Sequence, residues 1–244
     1  MNQQTKVWTT IELIDWGYEF LSSKGISNAK LEVEWLLCHV LNCKRIDLYV
    51  QFEQPLMKNE LAQFKTSIKR RIKGEPFQHI IGKGDFYGRD FFVNKDVLIP
   101  RPETELIIEI LKKKNKNGMF LEIGTGSGCI SITLVLENLT NNIIATDISK
   151  DALSVAKNNA DNFNIKDIDF KIHNFLETKI HSTYDVIISN PPYIGINELE
   201  NLQDEVKNYD PKIALTDNKD GLEFYRKFSD IGIALLNKNG LMLL

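Results

Sequence analysis

The feature that most constrains this chain is a change of rhythm at Gly118. Beyond it, short segments of strand length and character, at residues 119–123, 143–147, 168–172, 184–189 and 241–244, alternate with longer segments. The stretches 128–139, 150–163 and 222–236 have helical length. Strands that alternate with helices must pair in parallel, because each connection returns across the sheet and covers one face. The expectation is an α/β fold with a parallel sheet, helices on both faces, and a ligand crevice at the carboxyl ends of the strands.

The part before Gly82 has a different texture. Thr9 and Glu12 form a capping-box pattern ahead of Ile11, Leu13, Ile14 and Phe20, with Gly25 as a stop. Asn28 is placed to cap a second helix carrying Leu31, Val33, Trp35, Leu36, Leu37, Val40 and Leu41. A short helix is expected at 46–50, and a longer one at 59–73 with Leu61, Phe64, Ile68 and Ile72 on one stripe. This reads as a small helical bundle whose core takes in Trp8, Trp16 and Trp35. Gly82, Gly84 and Gly88 then punctuate Phe86, Tyr87, Phe91, Phe92 and Val93, a β-hairpin pattern. Pro102 suits the first turn of a helix running to Lys114. The division is a helical domain at 1–84, then a hairpin linker and catalytic domain at 85–244.

Composition excludes several classes. No apolar run approaches the ~20 residues of a membrane span, and residues 1–10 lack the layout of a signal peptide. A cytoplasmic protein without membrane association is expected. Residues 1–84 carry 12 Lys/Arg against 9 Asp/Glu, and the remainder carries 18 against 24. Neither part has the concentrated basic face of a nucleic-acid binder, and the cluster Lys69, Arg70, Arg71, Lys73 reads as the solvated end of a helix. Cys38, Cys43 and Cys129 form no disulfide framework. Cys129 reads as a packing residue at a helix start, and no metal-ligand set is expected.

Three motifs carry chemistry. Glu122-Ile123-Gly124-Thr125-Gly126-Ser127-Gly128 places glycines at a strand-to-helix turn, where a ligand can approach the backbone. A tight structural turn would use the same glycines. Asp147 ends the next strand, where a carboxylate can accept from ribose hydroxyls, although it could also cap the following helix. Loop and acid together point to an adenosine-containing cofactor. Asn190-Pro191-Pro192-Tyr193 follows the strand at 184–189. There the Asn190 amide oxygen and the Pro191 carbonyl can accept from one planar NH₂ group, while the Tyr193 ring offers a stacking surface. Two acceptors out of the amide plane favour a pyramidal nitrogen and stabilise charge developing on it.

On these residues the chain resembles the PrmC/HemK family of protein-(glutamine-N5) methyltransferases, over essentially its whole length. The resemblance rests on Gly74-Glu75-Pro76-Phe77-Gln78-His79-Ile80 and on Leu98-Ile99-Pro100-Arg101-Pro102-Glu103-Thr104-Glu105, its most specific signature. Glu205-Val206, Asp210-Pro211, Ala214-Leu215 and Asp220-Gly221-Leu222 also match. The Asn-Pro-Pro-Tyr tetrad is shared with enzymes that methylate amino groups of DNA and RNA.

The resemblance implies a class I S-adenosylmethionine-dependent methyltransferase domain of Rossmann-like fold, preceded by a helical domain that helps to hold a protein substrate. It implies cofactor contacts at Gly124, Thr125, Gly126, Ser127, Gly128, Asp147, Asn174, Phe175 and Asn190. Asn174 stands where the family often has Asp, and its side-chain oxygen can still accept from an adenine amino group. The acceptor is expected to be the glutamine of the Gly-Gly-Gln loop of a class 1 peptide chain release factor, set against Asn190, Pro191, Pro192 and Tyr193, with the enzyme a monomer. The family continues beyond the strand at 241–244, so a C-terminally truncated domain is expected, that strand being buried on both faces. Two other readings stay open: a methyltransferase for an exocyclic base amine, and a non-catalytic cofactor-binding module.

Overall fold

The computed structural model describes residues 6–244, which separate into two compact units between Ile81 and Gly82.

The first unit holds α1 (Thr10–Ser23), α2 (Ala29–Leu41), α3 (Arg45–Val50), α4 (Lys58–Arg71) and α5 (Phe77–Ile81). The capping box at α1 forms: the Thr9 hydroxyl accepts from the Glu12 amide, and the Glu12 carboxylate accepts from the Thr9 amide at 3.0 Å. Asn28 occupies the cap position of α2 but makes no side-chain cap bond. Its ψ of 30° is outside the extended region that would aim the side chain at the free amides. Leu13, Ile14, Val33, Leu36, Leu37, Phe64 and Ile68 fill the core. The near-continuous apolar face of α2 also conceals Glu34, fully buried and bonded to Arg45 and Tyr49.

Three expectations need correction in this unit. Trp35 is 39% exposed, leaning edge-on against Phe77 outside the core. Ile72 ends α4 and is exposed, so the buried stripe stops at Ile68. The basic cluster is more than a solvated helix end: Arg71 is buried in a forked pair with Glu32, and Arg70 forks onto Glu75. A planar guanidinium matches a carboxylate in two parallel bonds, which lets a buried charge stay paired.

The second unit opens with a hairpin, β1 (Gly84–Phe86) and β2 (Arg89–Phe91), closed by Tyr87 and Gly88. Both turn residues have positive φ, the mirror-image turn that matches strand twist. Tyr87 is held there by its amide, which donates to Glu105 at 2.8 Å, and by its hydroxyl, which donates to Glu109. A 3₁₀ turn at Pro102–Thr104 leads into α6 (Glu105–Lys114). The sheet and its helices follow: β3 (Phe120–Ile123), α7 (Cys129–Leu136), β4 (Ile143–Asp147), α8 (Lys150–Asn162), β5 (Ile168–Ile172) and β6 (Tyr184–Ser189). Then come α9 (Asp204–Tyr209), α10 (Lys212–Leu215), α11 (Glu223–Leu235) and β7 (Leu236–Leu243).

All five sheet strands pair in parallel in the order β5-β4-β3-β6-β7. The chain steps outward from β3 through β4 to β5, then returns to the other side of β3 as β6. The crevice is expected where that order reverses. Alternate residues serve two cores, as the strand period of two requires. Phe120, Ile143, Ala145, Val186 and Ile188 pack with α6, α7 and α8, while Leu121, Ile123 and Ile187 pack with Phe228 and Leu235 of α11.

The last strand differs from expectation. It begins at Leu236, directly after α11, and lies at the sheet edge with its residues only half-buried or exposed. One neighbour, β6, covers one side of it. Leu241, Met242 and Leu243 pair in regular register with Val186, Ile187 and Ile188, and an irregularity precedes them. Among the described residues no helix is long and apolar enough to cross a membrane.

Candidate active site

A cavity of about 290 Å³ opens at the carboxyl ends of β3, β4 and β6, near the lower end of small-molecule sites, roughly 300–1,000 Å³. The glycine turn forms its floor. Gly124 and Thr125 amides both donate to the Thr146 carbonyl, at 2.8 and 2.9 Å, which ties the turn to the end of β4. Gly124 and Gly126 have φ of 76° and 55°, and an added Cβ at either would meet nothing within 4 Å. Their glycine identity therefore answers to backbone conformation and leaves open space above the turn.

Asp147 both closes and faces this floor. One carboxylate oxygen accepts from the Gly126 amide and the other from the Ser149 amide, each at 2.9 Å. Burial pushes its carboxyl above the usual range, and the Ser149 and Gly126 amides pull back against that. The carboxylate keeps lone-pair capacity for a further donor. Ser149 caps α8 by accepting from the Ala152 amide at 3.2 Å, so the cap role belongs to it.

Gly124, Thr125, Gly126, Ser127, Asp147, Asn174, Phe175, Asn190, Pro191 and Pro192 all line the cavity. Gly128 and Tyr193 do not. Gly128 starts α7 at φ 79°, where a Cβ would press on Ile132 and Ala156 at 3.0 and 3.1 Å, so its place is a packing one. Tyr193 is 60% exposed, outside the lining. The Asn174 side-chain oxygen accepts from the Leu176 amide at 3.2 Å, which leaves it capacity for one more donor. Phe175 is wedged against Phe228, ring centroids 4.4 Å apart, and stacks on Phe224. The Cys129 thiol is buried, and burial pushes it up to about 12, so it is protonated and inert at neutral pH.

Beneath the turn, Glu122 is fully buried and accepts from the Thr125 hydroxyl at 2.7 Å. Burial pushes its carboxyl up to about 7, against the lowering pull of the Thr125 and Ser131 hydroxyls.

Several supporting residues were not expected from the sequence. Asn159 of α8 accepts from the Phe92 amide at 2.7 Å and donates to the Phe92 and Ser127 carbonyls, both at 2.9 Å. It thereby joins the segment after the hairpin to the glycine turn. Asn190 donates its amide NH₂ to the Thr104 hydroxyl at 3.2 Å. Ser189 ties β6 to β3 by donating to the Ile123 carbonyl at 2.7 Å.

The segment after α9 braces the tetrad from behind. Ile194 donates to the Leu215 carbonyl at 3.0 Å and Ile196 to the Lys219 carbonyl at 2.8 Å. Asp217 collects the amides of Lys219, Gly221 and Glu223 at 2.8, 3.0 and 3.0 Å. Burial raises its carboxyl, but those amides outweigh burial and hold it below the usual range. Arg101 pairs with the buried Asp210 at 2.7 Å. Burial still leaves that carboxyl at about 6. Only sequence motifs hinted at Arg101, Thr104, Asp210 and Gly221; no periodicity marks them.

Two family models and a set of curated relatives match the chain. Residues 12–82 match the model of the PrmC N-terminal domain, and residues 102–205 that of the methyltransferase small domain. The release factor glutamine methyltransferase of Geobacter sulfurreducens is 39% identical over 98% of this chain and 84% of its own length. That of Chlorobaculum tepidum is 38% identical over 98% and 85%, and that of Bacillus subtilis 39% identical over 94% and 82%.

Proposed function

The chain belongs to the release factor glutamine methyltransferase family, and from that premise we propose how its cavity performs the reaction. It transfers a methyl group from S-adenosylmethionine to the side-chain amide nitrogen, N5, of a glutamine. The glutamine is the one in the Gly-Gly-Gln loop of a class 1 peptide chain release factor. The cofactor supplies an electrophilic methyl group on a positively charged sulfur. The open space above Gly124 and Gly126 and the free lone pairs of Asp147 fit it. Asp147 would hold the ribose hydroxyls, Asn174 the adenine amino group, and Phe175 the wall beside the ring.

The observation that carries the reading is the placement of Asn190. Its NH₂ is engaged by Thr104, so its Oδ1 is the end left for a substrate N–H. With the Pro191 carbonyl, that oxygen would accept both hydrogens of the glutamine amide and draw its lone pair out of conjugation. Bound S-adenosylmethionine would supply the methyl group for the new N–C bond, the electron pair of the broken S–C bond remaining on sulfur. The nitrogen sheds a proton to water once methylated, so no base is assigned. Tyr193, exposed beside the cavity, would stack against the flat amide.

We assign residues 1–84 to recognition of the folded release factor, and 85–244 to the linker and catalysis. The acidic balance after residue 84 favours a protein acceptor over a nucleic acid. We take the enzyme to act as a cytoplasmic monomer. Asn190→Ala tests the central assignment. Single-turnover methylation of a purified release factor should fall ~10²–10³-fold, with cofactor affinity little changed. A rate equal to wild type would remove Asn190 from the reacting centre.

A further inference from the structure

We infer that Thr104 is a positioning residue for methyl transfer, acting through the orientation of the Asn190 carboxamide. The inference rests on the reading of Asn190 given above and deepens it.

An asparagine carboxamide is nearly symmetric in shape but opposite in chemistry at its two ends. Turned one way, Asn190 offers an acceptor to the substrate NH₂. Turned the other, it offers two N–H donors, which would compete for the nitrogen lone pair that must attack. Packing alone cannot tell the two apart; in this structure the carboxamide is set with its NH₂ bonded to the protein, and that bond holds it in place. The partner here is Thr104, whose hydroxyl receives the Asn190 Nδ2 hydrogen at 3.2 Å. Both residues line the cavity.

Thr104 is itself well fixed. It ends the 3₁₀ turn Pro102–Thr104, and its amide donates to the Arg101 carbonyl at 3.0 Å. Arg101 is in turn held by the buried Asp210. Pro100 and Pro102 restrict the backbone on either side of Arg101. The bond spans 86 positions of sequence, so it is a product of the fold and not of local chain geometry. A stiff turn thus carries a hydroxyl to the one end of Asn190 that must not face the substrate.

The test is a double-mutant cycle on the full chain: wild type, Thr104→Val, Asn190→Ala and the pair. Thr104→Ser and Thr104→Ala are measured beside it. Four quantities are read: single-turnover rate with saturating release factor and S-adenosylmethionine, KM for the release factor in steady state, cofactor dissociation constant by calorimetry, and melting temperature. Thr104→Val should slow the chemical step about 3- to 10-fold, the range of one net hydrogen bond, with cofactor affinity and KM for the release factor within about twofold. Thr104→Ser should restore most of the rate. In the Asn190→Ala background, Thr104→Val should have almost no further effect.

The inference is overturned if Thr104→Val is neutral, or if its effect is the same with and without Asn190. It is equally overturned if Ser is as slow as Val, or if the loss lies in cofactor affinity. Should Val not fold, Thr104→Ala takes its place in the cycle. A wild-type rate for Asn190→Ala alone would instead defeat the underlying reading, so the two failures are distinct.

Discussion

Replacing Glu122 by Gln should stabilise the protein at neutral and alkaline pH and leave it unchanged in mild acid. Glu122 lies wholly inside the second unit, beneath the glycine turn, with its carboxyl raised from 4.5 to about 7 by burial. In the unfolded chain the same group ionises near 4.5. Between those values the folded state keeps a proton that the unfolded state has lost, so stability falls as pH rises from about 4.5 to about 7 and then levels off. At about 1.4 kcal/mol per pH unit the cost amounts to about 3 kcal/mol. Glutamine has nearly the same shape, can still accept from the Thr125 hydroxyl through its oxygen, and never ionises. Denaturant unfolding without cofactor, at intervals from pH 4 to pH 8, measures the difference between the two proteins. Asp147 and Asp210 are also raised by burial, so both proteins keep some slope, and the difference isolates Glu122. It should be near zero at pH 4 and about 3 kcal/mol in favour of Gln at pH 8. A difference that does not change with pH, or a Gln variant less stable at pH 8, would refute the argument.

Two further outcomes follow from the site. Asp147→Ala should raise the S-adenosylmethionine dissociation constant at least about tenfold, since each charge-assisted hydrogen bond is worth ~1.5–3 kcal/mol; an unchanged constant by calorimetry would end the ribose assignment. Gly221→Ala should cut turnover about tenfold or more and lower the melting temperature. The new Cβ would stand 2.3 Å from the Tyr193 carbonyl oxygen at a φ of 82°, and a left-handed alanine alone costs roughly 1–2 kcal/mol. Wild-type turnover in that variant would show that the tetrad does not depend on its rear brace.

Much of the second unit was legible because its order follows from one-dimensional patterns. β4 and β6 run over the expected residues, 143–147 and 184–189, since a parallel strand covered on both faces has to be largely apolar; β5, at 168–172, is an edge strand in which exposed Asp169 and Lys171 alternate with apolar residues. Where covering is incomplete, the pattern fails. The first half of β7 reads Leu236-Asn237-Lys238-Asn239-Gly240, an edge strand whose polar residues look like a loop. α5 is five residues, too short to show a helical period. Asn28 has the residue type of a cap and the position of one, but its backbone torsion denies it the bond.

The site divides along the same line. The residues proposed for cofactor and acceptor sit at strand ends, where glycine, an acid and the Asn-Pro-Pro-Tyr run are local signals. The residues that hold those groups in place are not local. Asn159 reaches Ser127 across 32 positions and Phe92 across 67, and Thr104 reaches Asn190 across 86. A side chain that satisfies a distant polar group leaves no period and no spacing in the sequence, because its partner is chosen by the fold. These same residues hold Asn190 and the glycine turn in place. A chain could keep each local motif and still lose activity through a threonine or asparagine far from the tetrad, which is why the Thr104–Asn190 cycle probes the enzyme more sharply than substitution of the tetrad alone.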